Sequence, residues 1–281
     1  KHFFFYDINS KSEADFNEAG VELKVTPYTK KANGNLRAKE RLVLTIINYM
    51  KDYEEEDFLR SHVYEKCALM LLIYYLYEPN KDRLDYVINY IKLFQFPEED
   101  LEIIKNDYKI IIDKIKNGKA EEISESDTNY LGACTKGANA NSLREQPFST
   151  EKAMQRAFCL KNSYMSYIIN HYIVNKTEEY ESVIKDANIL KEQTLEQYII
   201  SKLEPYYNQD IEFLKHKFNI PYQVTNKSFT YLLAKSMLEV VNEKIEEFEK
   251  ANIKIKAIRL RPDGMPKESM SFPTFKYTEI V

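Results

Sequence analysis

Asp15 stands seven residues before Glu22, and Lys24 follows two places later. Two carboxylates and an ammonium at this spacing suit metal-dependent hydrolysis of a phosphodiester. A hard cation such as Mg2+ takes oxygen ligands and keeps several waters, so the protein need supply only one or two acids and a carbonyl. Asp15, Glu22 and the backbone carbonyl of Leu23 offer that set. The cation would neutralise charge on the phosphorane-like transition state and acidify an attacking water. Lys24, a compact charge on a flexible stem, would hold that water or stabilise the charge developing on the phosphate.

The element that must position these groups is the segment Val21-Glu22-Leu23-Lys24-Val25-Thr26-Pro27-Tyr28. Its alternation predicts a strand in which Val21, Leu23 and Val25 are buried on one face while Glu22 and Lys24 project together from the other. Asp15 falls at the end of a preceding strand or turn. In a chain that is 30% charged, acid-x-lysine is also the pattern of a solvated pair on an exposed strand. Context favours chemistry: no other Glu-x-Lys occurs, and the sole Asp-x-Lys, Asp107-Tyr108-Lys109, lies in a segment of helical period.

The net charge of −4 excludes a generally basic nucleic-acid coat, so any DNA contact must be a local patch. Lys30, Lys31, Arg37, Lys39 and Arg41 form one such cluster, and Lys136, Arg144, Lys152, Arg156 and Lys161 another; each is equally the pattern of a solvated surface. Three widely spaced cysteines support neither a disulfide framework nor a zinc site, and point to a reducing cytosol. The four histidines lack metal-ligand spacing, and the six glycines form no phosphate-cradling loop. Rossmann, P-loop and zinc-hydrolase readings fall away. The longest apolar run, Cys67 to Tyr77, is half of the ~20 residues a membrane span needs, and no secretory leader is visible. The chain begins at Lys1 rather than Met and reads as an excerpt of a longer protein.

Along the chain, Asn33-Gly34 offers a hairpin turn from which Leu42 to Ile47 returns as the second strand. Residues 54–66 are compatible with helix, Leu69 to Tyr77 reads as a buried strand, and 82–95 fits either strand or helix. Glu98 to Lys116 keeps a 3.6-residue period, with Asn117-Gly118 as its stop. Residues 124–163 break the pattern as a long loop, within which Arg156 to Lys161 alternates like a strand. Tyr164 to Tyr172 reads as helix, and 176–250 as almost entirely helical, with paired helices near 195–203 and 210–218. An internal repeat pairs Asp15 to Lys24 with Glu247 to Lys256 at an offset of 232 residues, and Tyr49 with Tyr277 at an offset of 228. In the second copy Lys254 replaces Glu22 and cannot ligate a cation, so that copy is expected to keep the fold without the chemistry. Chance similarity of two β-hairpins is the alternative.

Four ordered stretches carry a family resemblance: Ala19 to Lys24 with Asp15 before it, Lys39 to Leu44, Tyr130 to Ala140, and Arg156 to Lys161. With them the chain resembles the MutH family of mismatch-repair endonucleases, most closely the two-copy type II restriction enzymes that cut at GATC. The resemblance implies a mixed α/β, restriction-endonuclease-like fold, with a mixed sheet flanked by helices. It implies a catalytic domain over 1–175, a helical linker over 176–246 and the start of an inactive second copy over 247–281. Asp15, Glu22 and Lys24 become the catalytic residues and Mg2+ the cofactor. Lys66 falls where relatives carry a supporting lysine.

Lys136, Gly137 and Asn139 fall in the loop that enters the major groove, where bare backbone and short side chains suit base edges. Arg156, Cys159 and Lys161 complete the implied DNA contacts. Implied partners are duplex DNA containing GATC, a second DNA site on the inactive copy and self-association on DNA, in the bacterial cytoplasm with no membrane. Relatives carry a further glutamate on a helix upstream of the first acid, which this chain does not contain, so the fragment alone is expected to risk inactivity. Cys159 stands where repair members carry a tyrosine, which favours restriction over methyl-directed nicking. A sequence-specific DNA-binding protein of the same fold without catalysis is the third reading.

Overall fold

The computed structural model describes residues 14–270 except 140, 177 and 227. The alternating segment forms β1 (Glu22–Lys30), and the turn at Asn33-Gly34 is realised: Gly34 takes φ 81° and its N–H donates to the Lys31 carbonyl at 2.9 Å. The strand that returns is the short β2 (Leu36–Ala38), which puts Arg37 opposite Thr29. The expected partner, Leu42 to Ile47, instead forms β3 (Leu42–Ile46) and leaves for another sheet. β2 goes no further because side chains take over its outer edge. Asn170 accepts from the Leu36 N–H and donates to its carbonyl, Ser166 Oγ accepts from the Ala38 N–H, and Asn162 donates to the Ala38 carbonyl at 2.7 Å.

The segment 54–66 is not one helix. Asp57 caps a 3-10 turn at Phe58–Arg60, and Ser61 caps the four-residue α1 (His62–Glu65), each drawing a backbone N–H into a new turn. β4 (Met70–Leu76) and β5 (Ile88–Phe94) follow, and the sheet order is β2-β1-β4-β5. β1 and β4 are parallel and the other pairs antiparallel, which is the mixed sheet expected.

The face assignment is reversed. Glu22 lies opposite Met70 and Lys24 opposite Leu72, both fully buried, whereas Val25 is 53% exposed. The volume of β4 decides this: Met70, Leu72 and Tyr74 fill the interior, and the Tyr74 hydroxyl donates to the Met165 carbonyl. Parallel pairing then carries Glu22, Lys24, Thr26 and Tyr28 inward with them. Leu23 and Val25 share the outer face with Ile91 and Leu93; Val25, Ile91 and Leu93 are each more than half exposed.

α2 (Glu98–Lys116) matches its predicted bounds and buries Ile103, Ile104, Tyr108, Ile111, Ile112 and Ile115. Gly118 must be glycine: φ is 65°, and a Cβ there would meet the Phe148 carbonyl oxygen at 2.5 Å. The 124–163 region is not a long loop. It holds β6 (Leu131–Thr135), the hairpin of β7 (Leu143–Gln146) and β8 (Ser149–Met154), and the predicted strand β9 (Arg156–Leu160). Leu131 to Cys134 lacks alternation because all four residues are buried, as in a strand covered on both faces. β3, β9 and β6 make an antiparallel sheet, and Asp107 of α2 accepts N–H bonds from Asn129, Tyr130 and Leu131. α3 (Asn162–Tyr167) continues as a π-helix through Ile173.

Beyond 176 the helices are short: α4 (Leu195–Leu203), α5 (Ile211–Lys217), α6 (Phe229–Met237) and α7 (Glu246–Ala251). The paired helices near 195–203 and 210–218 are present, but β10 (Tyr180–Glu181) and β11 (Lys244–Ile245) pair in parallel within the stretch expected to be helical. Positive φ at Asn175, Asn208, Asn219, Glu239 and Asn252 interrupts the helical course, four of the five being asparagine, which tolerates the left-handed region. The chain divides into two compact units, one containing residues up to Ile200 with Asn242–Ile253, the other Ser201–Val241 with residues from Lys254. This division differs from the expected boundaries at 175 and 246.

α7 belongs to the first unit through its charges. Lys250 and Asp100, each with a side chain 1% exposed, pair at 2.6 Å, and Glu247 accepts the Val183 and Ile184 N–H bonds. In the second unit Leu214, Ile220, Phe229 and Leu233 form a small core. From Lys254 to Met270 an isolated bridge, Leu260 with Pro266, is the extent of β pairing; Tyr277 lies outside the described residues.

Candidate active site

A tight hook starts β1. Asn17–Ala19 make one 3-10 turn, Gly20 takes φ 62°, and the N–H of Val21 donates back to the Phe16 carbonyl at 3.2 Å. The hook folds Asp15 over the first residues of the strand. Its N–H donates to Glu22 Oε2 at 3.3 Å, and its Oδ2 accepts from the Leu23 N–H at 3.1 Å.

Glu22, only 5% exposed, is held by two ammoniums: Lys24 Nζ lies 3.0 Å from Oε1 and Lys66 Nζ 3.1 Å from Oε2. Lys24 also donates to the Leu44 carbonyl at 3.4 Å, and Lys66 is delivered by the end of α1. The arrangement follows from burial, since a carboxylate carried inside by the sheet needs charged partners to offset its lost hydration. Two acids and two lysines balance. Beside them Cys67 is fully buried and burial pushes its thiol up, so it stays protonated and inert.

Asp15, Glu22, Lys24 and Lys66 are thus brought together. Among the described residues no three His, Cys, Asp or Glu side chains cluster as a metal site. The donors available here are two carboxylates and the Leu23 backbone, an all-oxygen set of the kind hard cations take. The Leu44 carbonyl that receives Lys24 had no signal in the sequence, because it arrives from the other sheet.

The expected DNA-contact residues fall in two places: Arg156 stands opposite Thr135 and the Lys136 N–H donates to the Gln155 carbonyl at one end of β6 and β9, whereas Cys159 and Lys161 lie at the other. Lys136 and Asn139 are exposed in the turn after β6, where Asn139 carbonyl and carboxamide oxygens accept the Ser142 and Asn141 N–H bonds. Gly137 is half-buried, with Ser142 so close that a Cβ would clash at 2.2 Å. Arg156 donates to the Ala133 carbonyl at 2.9 Å while its Nε is buried without a partner. Lys161 donates to the carbonyls of Glu125 and Thr128, and burial draws its ammonium down. Cys159 is fully buried on β9 beside Cys134, so the structure does not present it at a surface; its thiol is pushed up by the bond to Cys134 and by burial.

Among the described residues no helix is long and apolar enough to cross a membrane. Residues 4–107 match the family model described as DNA mismatch repair enzyme MutH. The chain is 40% identical over 282 residues to the type II restriction enzyme Sau3AI of Staphylococcus aureus, an alignment that spans 97% of this chain and 57% of that enzyme. It is 25% identical over 173 residues to the DNA mismatch repair protein MutH of Vibrio parahaemolyticus, over 60% of this chain and 74% of that protein. The hook, the strand and both lysines fall inside the region that matches the MutH model, in a chain that spans 57% of the type II restriction enzyme it is similar to.

Proposed function

We propose that this chain is the catalytic part of a Mg2+-dependent type II restriction endonuclease that hydrolyses phosphodiester bonds of duplex DNA at GATC. The observation that carries the reading is the inward-facing Glu22, each of whose oxygens is held by a different lysine beneath Asp15. The 40% identity to a type II restriction enzyme supports it independently.

Asp15, Glu22 and the Leu23 carbonyl would hold Mg2+, which when bound supplies charge neutralisation at the phosphate and acidifies an attacking water. Lys24, at the end of a flexible stem, leaves Glu22 to donate to that water or to a phosphate oxygen as negative charge develops. Lys66 keeps Glu22 in place and is a positioning residue. The lysines also neutralise the buried Glu22 before the cation arrives, which lessens its repulsion of the half-buried Asp15.

The MutH match over 4–107 favours a second reading, a methyl-directed nicking enzyme of mismatch repair. Residues 247–281 are read as the start of an inactive second copy, supported by the shared sequence pattern and by Lys254 at the position of Glu22. The test incubates GATC-containing and GATC-free duplexes in Mg2+ and in EDTA, with Glu22→Ala as control and gel shifts in Ca2+. Cleavage of both strands, confined to the GATC duplex, dependent on Mg2+ and lost in the variant, is expected. Nicking of one strand would replace restriction with repair. A GATC-selective shift without cleavage would leave a DNA-binding protein, and neither cleavage nor shift would overturn the reading.

A further inference from the structure

Two of the three widely spaced cysteines meet in the fold. Cys134 of β6 stands opposite Ala157 of β9, and Cys159 opposite Gly132, so the two cysteines are diagonal neighbours on one face of an antiparallel pair and pack together beside Val43. The Cys159 thiol donates to the Cys134 sulfur. Cys67, by contrast, donates its thiol to the Val63 carbonyl at 3.1 Å.

The pair is covered but not deep. Cys159 Sγ lies 3.8 Å from Glu125 Oε1, and a Cβ on Gly132 would meet both Cys159 Sγ and the Lys161 side chain. Arg41, Glu125 and Lys161 line a cleft of about 680 Å3 in the first unit, so the thiols sit one side chain below its floor. Part of that cover is the Arg41–Glu125 ion pair, whose side chains are 40% and 41% exposed. An ion pair so exposed holds weakly and lets a small molecule past. The bond from Cys159, with the Arg41 guanidinium nearby, draws Cys134 down to about 7 from 9.0 against burial, which favours the reactive thiolate.

We infer that Cys134 and Cys159 are an oxidation site that closes to a reversible disulfide when a hydroperoxide enters the cleft. The Cys134 thiolate attacks a peroxide oxygen, breaks the O–O bond and becomes a sulfenic acid. The Cys159 sulfur then attacks the Cys134 sulfur and displaces its hydroxyl, which leaves as water with the Cys159 proton. Two thiols and one hydrogen peroxide thus give one disulfide and two waters. A dithiol reductant reverses the bond through a mixed disulfide. Transient bonds of this kind are the ones that reducing compartments allow.

Diagonal Cα atoms of an antiparallel pair stand roughly 7–8 Å apart and a disulfide spans at most about 6.8 Å, so closure draws β6 and β9 together by about 1 Å. Strain of this sort makes the bond easy to reduce. The shift falls two residues before Lys136, whose N–H is held by the Gln155 carbonyl at 2.9 Å, and therefore at the root of the turn that carries Lys136, Gly137 and Asn139. Oxidation weakens DNA binding through that turn, a consequence that rests on the nuclease reading as the bond itself does not.

The test treats the chain with graded hydrogen peroxide, blocks free thiols under denaturing conditions and maps peptides by mass, with Met50, 53% exposed, as the marker of dose. A Cys134–Cys159 peptide pair two hydrogens lighter is expected before Met50 gains oxygen, with Cys67 still free, and dithiothreitol should undo it. Cys159→Ser should leave Cys134 as a sulfenic acid that dimedone labels, and Cys134→Ser should leave Cys159 unoxidised. Both thiols free once Met50 is a sulfoxide, or Cys67 bridged as readily, overturns the site. Anisotropy in Ca2+ on a GATC duplex reads the consequence: about tenfold weaker binding after oxidation, restored by dithiothreitol and absent in Cys134→Ser. A bridge that leaves affinity unchanged overturns the effect on the turn. A reduced chain that binds no duplex sinks the nuclease reading, while the mass map still decides the bridge.

Discussion

Asp15 to Val21 and Glu247 to Ile253 share a backbone turn as well as a sequence pattern. In each, a short helical turn ends at a left-handed residue, Gly20 with φ 62° or Asn252 with φ 57°. Each such residue donates to the carbonyl three before it, at 3.1 and 3.3 Å, and the next N–H reaches back to a phenylalanine carbonyl, Val21 to Phe16 at 3.2 Å and Ile253 to Phe248 at 2.7 Å. The acids diverge. Asp15 takes one N–H and sits beside a carboxylate matched by two ammoniums, whereas Glu247 spends its oxygens on the N–H groups of Val183 and Ile184 and on the Ser182 hydroxyl. One hook gathers two carboxylates and an ammonium and the other anchors a helix, so the same local geometry serves two different arrangements of charge.

Substitution of the divergent positions has the largest effect. Glu22→Ala should lower the rate of Mg2+-dependent cleavage by on the order of 10^3, and adding Lys254→Glu should restore none of it, as read in single-turnover assays. Recovery would mean that the second hook is a competent site. Lys250→Ala leaves Asp100 buried without its cation and should destabilise the first unit by about 3–5 kcal/mol in urea unfolding, while Glu18→Ala at the matching exposed position should change it by less than ~0.5 kcal/mol.

Amide capture of a buried acid can be tested at Asp107, which like Glu247 is held by backbone N–H groups. Burial outweighs three N–H donors and pushes its carboxyl up to about 6 from 3.8. The folded state binds that proton more tightly than the unfolded chain, so stability is full below about pH 4 and falls as pH rises through about 6, by on the order of 3 kcal/mol. Asp107→Asn should flatten that decline relative to wild type in urea midpoints measured from pH 4 to 7. The smallest effect separates the hooks themselves. Gly20→Ala has free space around it but demands a left-handed alanine, and should cost about 1 kcal/mol, whereas Asn252→Gly should be neutral or stabilise by a few tenths.

The acids, the lysine and the strand that bears them were legible because spacing and alternation are local. α2 was legible to its ends because nineteen residues kept one period and Asn117-Gly118 closed it. The orientation of β1 was not legible: Val21, Leu23 and Val25 look like the buried side until β4, whose Met70, Leu72 and Tyr74 fill the interior, is paired with them. β2 is not legible in the sequence because its outer edge is completed by Asn162, Ser166 and Asn170, more than 120 residues away. β6 failed for a related reason, since a strand buried on both sides has no alternation to read. Cys159 owes its expected DNA contact to resemblance alone, and its sequence neighbours carry no sign that it is covered.

The reversed face of β1 has a consequence for how the chain folds. Sliding β1 by one residue against β4 would exchange its faces, hiding Leu23 and Val25 and freeing Glu22 and Lys24 into water. By burial alone that slipped pairing competes with the native one, so the strand bearing the acids is locally frustrated. Its register against β4 is pinned at both ends, by the Glu22 N–H on the Leu69 carbonyl with the Glu22–Lys66 pair and by the Tyr77 N–H on the Tyr28 carbonyl. Refolding should therefore pass through a misaligned species that collects when either clamp is loosened, and the pairing of Glu22 with its two lysines is the last thing the sheet acquires.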